Sequence, residues 1–171
     1  ADPMTKPSVE VTGWQLQALR SAHMAYLQVP VGTIKGGKRF LGEVQLEQGR
    51  AFPGANGRRD HRATAIGLYS RMLLGTKSSD PILKDGLADL SRAGPQKHDA
   101  LANYFAHRLQ HACLGASWKE WNEAIRKQLL ESQLREGDNA GSWRDAMDAS
   151  GRGRLFQTAI NAMILEIYLR Q

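Results

Sequence analysis

The sequence predicts an all-α fold of about seven helices arranged as antiparallel α-hairpin repeats. Three observations predict it. Apolar residues recur at helical spacing almost throughout the chain, and no stretch alternates with the period of two that a strand requires. Ala-rich apolar segments also take turns with segments that carry charge on one face, as inner and outer helices of stacked hairpins do.

The first helix is expected from Thr12, in TGWQLQALRSAHMAYLQ, where Trp14, Leu16, Ala18, Leu19, Ala22, Ala25 and Tyr26 fall at helical spacing. Thr12 stands where an N-cap hydroxyl accepts from an orphan backbone N–H. Val29-Pro30 ends this helix, and Pro30 opens the second, VGTIKGGKRFLGEVQLEQ, with Ile34, Phe40, Leu41 and Val44 on its apolar face. Gly36 and Gly37 weaken it by about 1 kcal/mol each relative to Ala. After the Gly- and Arg-rich GRAFPGANGRR, the third helix runs in DHRATAIGLYSRMLLG from a cap at Asp60 to a stop at Gly75. The fourth opens on Ser79-Asp80-Pro81 and ends at Gly94-Pro95. The fifth is HDALANYFAHRLQHACLG, and the sixth is SWKEWNEAIRKQLLESQ, with Ser117 and Glu120 spaced as a capping box. GRLFQTAINAMILEIYLR closes the chain as the seventh.

The odd-numbered helices, starting near Thr12, Asp60, His98 and Arg152, are the expected inner set. Thr12-Gly13, Thr64-Ala65 and Thr158-Ala159 mark equivalent starts, at intervals of 52 and 94 residues. The longer interval has room for one unmarked repeat, near Ala106-His107.

Composition bounds the rest. The chain has 171 residues, 42% hydrophobic and 23% charged, which fits one globular domain over residues 11–171. Residues 1–10 read as a flexible start, with Ala1-Asp2-Pro3 before Met4 as an added remnant. No apolar run reaches the ~20 residues that span a bilayer, and ADPMTKPSVE lacks the apolar core of a secretory signal. The one cysteine, Cys113, closes no internal disulfide, which leaves the compartment open and favours the cytoplasm. The net charge of +6 gathers in KGGKR, GRRDHR and SGRGR. Phosphate binders cluster Lys and Arg in this way, but none of the three clusters interleaves the aromatics that stack bases. Nucleic acid is therefore disfavoured.

FLGEVQLEQGRAF (40–52) and QLLESQLREGDNAGSW (128–143) resemble the QW repeat, an apolar or aromatic pair followed by Gln and then Gly-x-Trp. That repeat belongs to the prenyltransferase and squalene-oxidase repeat superfamily, and the chain is similar over residues 11–170 to its uncharacterised bacterial members. The second copy keeps Gln133, Gly141 and Trp143; the first keeps Gln45 and Gly49 but has Phe52 in place of Trp. The resemblance implies a partial α/α toroid of the terpenoid-cyclase kind. It also gives Gln45, Phe52, Gln133, Gly141 and Trp143 a structural role as clasps between repeats. A carboxamide both donates and accepts, and an indole buries a large surface while its N–H finds a partner.

Sites for chemistry are sparse. The aspartates, among them Asp145 and Asp148, do not reproduce the acidic motif of cyclases that protonate their substrate. His107 and His111 share a helix face, but Cys113 lies off that face and no carboxylate has matching spacing. No metal, cofactor or catalytic residue is assigned. The strongest ligand candidate is an anion site at the opening of the third helix, where Asp60, His61 and Arg62 follow Arg58 and Arg59. Tyr104, His107 and His111 form a second candidate group on the fifth helix.

The function expected is a non-catalytic α/α-repeat module whose groove binds a partner protein or an apolar ligand. One rival is part of a prenyl- or terpenoid-handling enzyme whose catalytic acid lies outside this chain. Another is an anion or nucleic-acid binder acting through the arginine loops. Half a toroid leaves its ends open. Trp14, Leu16 and Leu19 in the first helix and Met163, Ile164, Ile167 and Tyr168 in the last are therefore expected to be covered by self-association or by further repeats.

Overall fold

A computed structural model describes residues 7–144 and 153–167. Among the described residues the fold is all-α: α1 Val9–Met24, α2 Val31–Val44, α3 His61–Leu73, α4 Pro81–Ala93, α5 Ala100–Cys113, α6 Ser117–Ser132 and α7 Gly153–Leu165. Among the described residues, two isolated bridges pair extended backbone, Leu46 with Ala51 and Pro53 with Arg59. None of these helices is long and apolar enough to cross a membrane. The chain divides into two compact units, one up to Leu87 and one from Ala88 on.

The caps correct the sequence reading in two places. Helix α1 starts at Val9, inside the segment read as a flexible start, because the Ser8 hydroxyl accepts from the Val11 N–H at 3.1 Å. Thr12 is one turn into the helix. Ser117 is the first residue of α6 rather than its cap, and its hydroxyl donates to the Gln110 carboxamide oxygen at 2.9 Å. Because Ser117 is already inside the helix and Ala116 is the cap, no capping box with Glu120 forms. Asp60 caps α3 as expected, accepting from Ala63 N–H at 2.7 Å, and Asp99 caps α5 by the same contact to Ala102 at 2.9 Å.

Helix α3 is the core of the first unit, with eight of its 13 residues buried. Helix α1 lies on it, and α2 touches both. Gly13 permits that approach, since a Cβ there would overlap Ile66. In the second unit α5 has ten of 14 residues buried, and α6 and α7 pack on it. Alternation is thus narrower than the sequence implied. Only three residues of α1 are buried, and α7 buries four, as many as α6. Each lies against one well-buried helix, α1 on α3 and α7 on α5.

The edges expected to be open are not. Leu16, Ile164 and Ile167 are buried, and Trp14, Leu19 and Met163 are half-buried. Leu16 fits over Gly37, where α2 has no side chain to keep it out. Tyr168 lies outside the described residues, as do Asp145, Asp148 and the expected start of the last helix near Arg152.

Candidate functional site

The two Gln motifs build the same clasp. Gln45 and Gln133 are the C-cap residues of α2 and α6, both with extended backbone (φ −59°, ψ 147° and φ −68°, ψ 134°). The leucine after each pairs with the residue before the aromatic: Leu46 N–H donates to Ala51 C=O, and Leu134 N–H to Ser142 C=O, both at 2.9 Å. Between them Gly49 and Gly141 turn the chain at φ +98° and +83°, which only glycine adopts without strain. The aromatics that follow are buried, Phe52 completely and Trp143 to 6% exposure. A threonine of the next helix then meets each aromatic's backbone. Phe52 N–H donates to the Thr64 hydroxyl at 3.1 Å, and Trp143 N–H to Thr158 at 3.3 Å.

The copies differ in what holds the loop. Gln133 donates directly to the Gly141 carbonyl at 2.8 Å. In the first copy Arg71 bridges instead, donating to both the Gly49 carbonyl and the Gln45 carboxamide oxygen beside the Phe52 ring. A contact of related form is made by Asn103 in α5. Asn103 stands four residues after its cap Asp99, as Thr64 does after Asp60. Its carboxamide accepts from Gln96 N–H and donates to Gln96 C=O, both at 2.7 Å. An Asp-x-x-x-Thr/Asn search of the sequence finds both. These residues hold the fold and offer no exposed chemistry.

The charged groups of the arginine loop are partly engaged by carboxylates of this chain. The N-terminus of α3 is already occupied by the Asp60 carboxylate. Arg59 is held by Glu47 at 2.9 Å and Arg62 by Glu10 at 3.7 Å. Arg50, and then Arg59, draw the Glu47 carboxyl below its ordinary value. Arg58 is exposed, and His61 is half-buried in the first turn of α3.

Tyr104 is buried and meets Phe105 edge-on at 5.2 Å between ring centres, so it belongs to the core. His107 and His111 both meet Trp118, each ring centre 5.0 Å away. Burial first, and the neighbouring His111 second, push the His107 pKa down to about 4. The imidazole is tilted at 46° to the indole, and both its nitrogens are buried without a hydrogen-bond partner. Among the described residues, no three His, Cys, Asp or Glu side chains are grouped to hold a metal ion.

The feature the sequence reading missed is at the end of α1. That helix stops in a Schellman motif: Tyr26 N–H donates to His23 C=O at 3.0 Å and Leu27 N–H to Ala22 C=O at 2.9 Å. Helix α3 ends the same way, Gly75 donating to Met72 and Thr76 to Arg71. The left-handed residue is Gly75 in α3, at φ +96°, but Tyr26 in α1, at φ +59°. The helical spacing of Tyr26 hid this, and comparison of SAHMAYLQ with SRMLLGTK is the signal that exposes it. Tyr26 is 98% exposed, and Met24, Leu27 and Val31 around it are exposed as well. Beside them a groove of about 330 Å³ is lined by Leu16, Leu19, Val31, Ile34, Leu73 and Leu74. Its ionisable lining groups are Arg20 and His23, with no carboxylate.

Comparison with known protein families, with curated proteins and with solved structures finds no match.

Proposed function

We propose that the chain is a non-catalytic binding module of α-hairpin repeats, of the QW kind it resembles, and that the α1–α2–α3 groove takes an apolar side chain of an acidic partner protein. The observation that carries this is Tyr26. A bulky residue at a left-handed position costs about 1–2 kcal/mol, and at 98% exposure it buries almost nothing in return. Four of the nine large hydrophobic residues exposed among the described residues, Met24, Tyr26, Leu27 and Val31, fall together there. Contiguous exposed apolar surface marks interaction sites. Val31 lines the groove yet remains 66% exposed, so the groove is open, and an occupant keeps part of itself outside, as a side chain on a partner does. Basic groups alone at the rim, with a net charge of +6, select an acidic neighbour. The twin clasps support the repeat architecture.

The test is a titration of the protein with a short peptide alternating Glu and Leu, followed by backbone amide spectra. Shifts gathered at residues 16–34 and 73–74, lost in Arg20→Glu and absent for the Lys-Leu peptide, are expected. Shifts scattered over both units, or equal shifts from the basic peptide, would refute the assignment.

A further inference from the structure

A second concavity, of about 240 Å³, lies within the unit up to Leu87, between α2, the end of α3 and the start of α4. Drug-sized ligands occupy cavities of about 300–1,000 Å³, so this one suits a molecule of few heavy atoms. Two cations and one carboxylate line it, Lys38, Arg71 and Asp80, together with Thr76. Among the described residues, none of these charges reaches an opposite charge within ion-pair distance. Asp80 caps α4 through one carboxylate oxygen, which accepts from the Leu83 N–H at 3.1 Å, and its other oxygen accepts nothing. Arg71 donates to the Gly49 carbonyl and the Gln45 carboxamide and keeps further N–H groups. The unused groups reach solvent, since the polar atoms both sealed and unpartnered among the described residues lie elsewhere. The rest of the wall is apolar, and Leu74 and Ile82 within it are only partly covered.

We propose that this cavity binds a free amino acid with an apolar side chain. Its carboxylate meets Lys38 and Arg71, its ammonium meets Asp80, and its side chain lies on Leu74 and Ile82. Opposite charges that share a small cavity without joining are bridged by a ligand that carries both. A simple anion is repelled by Asp80 and a simple cation by Lys38 and Arg71, so the same residues that attract the zwitterion reject its halves. The cavity shares only Leu74 with the α1–α2–α3 groove and does not depend on what that groove binds.

Backbone amide spectra recorded during titration with L-leucine test it. Saturable shifts should gather at residues 38–42, 71–76 and 80–82. Leucinamide, which lacks the carboxylate, and isocaproate, which lacks the ammonium, are the controls, and each should bind about fivefold more weakly. Asp80→Asn removes the charge but keeps the cap of α4, because Asn caps a helix as well as Asp does. That variant should bind leucine about fivefold more weakly, yet bind isocaproate no more weakly than the parent. Lys38→Gln, at an exposed position, should weaken leucine and spare leucinamide. The proposal is overturned by the absence of saturable shifts with leucine, by equal binding of either control, or by unchanged leucine binding in Asp80→Asn. Shifts gathered at residues 16–34 instead would put leucine in the groove and overturn it as well.

Discussion

The indole N–H of Trp143 donates to the carbonyl of Leu129 at 2.9 Å, so a loop aromatic shares a carbonyl of the last turn of α6 with the Gln133 N–H, which donates to it at 3.1 Å. Trp143→Ala removes both the burial and the bond and should cost about 3–5 kcal/mol. Trp143→Phe keeps most of the burial and should lose about 1 kcal/mol for the bond. Urea unfolding of the three proteins measures both steps, and overlapping curves would dismiss the clasp.

Thr64 and Asn103 serve corresponding backbone positions, Phe52 and Gln96. Thr64→Val keeps the side-chain shape but leaves the Phe52 N–H buried without its acceptor, for about 1–3 kcal/mol. Asn103→Leu breaks two such bonds and should cost at least as much. Denaturant midpoints check this, and a Thr64→Val midpoint equal to the parent's would deny the equivalence.

The two turns were legible in the sequence because Gln45, Gly49, Gln133, Gly141 and Trp143 stand at recognisable intervals, but each closes on its own loop, Gln133 on Gly141, and the sequence did not show that. Seven helices were legible because apolar spacing persists through each. The partner of a clasp was less so. Asn103 does for Gln96 what Thr64 does for Phe52, and residue identity alone does not equate a carboxamide with a hydroxyl. Tyr26 was misread for a different reason. Its spacing continues the apolar stripe of α1, while the hydrogen bonds that end the helix at Met24 are a backbone property. Pairing of Arg59 with Glu47 depends on a contact across 12 residues of irregular chain.

Burial holds His107 neutral, its pKa lowered from 6.5 to about 4. In the unfolded chain it titrates near 6.5, so between these values the unfolded state binds the extra proton. The contribution is complete above pH 6.5 and is lost as the pH falls towards 4, by up to about 3 kcal/mol. Unfolding free energies at a series of pH values should therefore fall through this window. His107→Leu should flatten the slope, and an unchanged slope would assign it to other groups.

Tyr26→Gly restores at the end of α1 the residue that ends α3. It should stabilise the protein by about 1 kcal/mol, because glycine adopts a positive φ freely. A higher melting temperature together with weaker binding of the Glu-Leu peptide is expected. A lower melting temperature would mean that the ring has packing the exposed position does not account for.

The central claim is that the collar around the α1–α2–α3 groove is where a partner protein docks. Photo-cross-linking from single positions tests it most directly, with a light-activated residue at Tyr26, at Leu27 or, as controls, at the exposed Leu130 and Leu155. In the cell that makes the protein, Tyr26 and Leu27 should capture one acidic protein that the control positions do not. Capture of a second copy of the chain, or equal capture from all four positions, would contradict it.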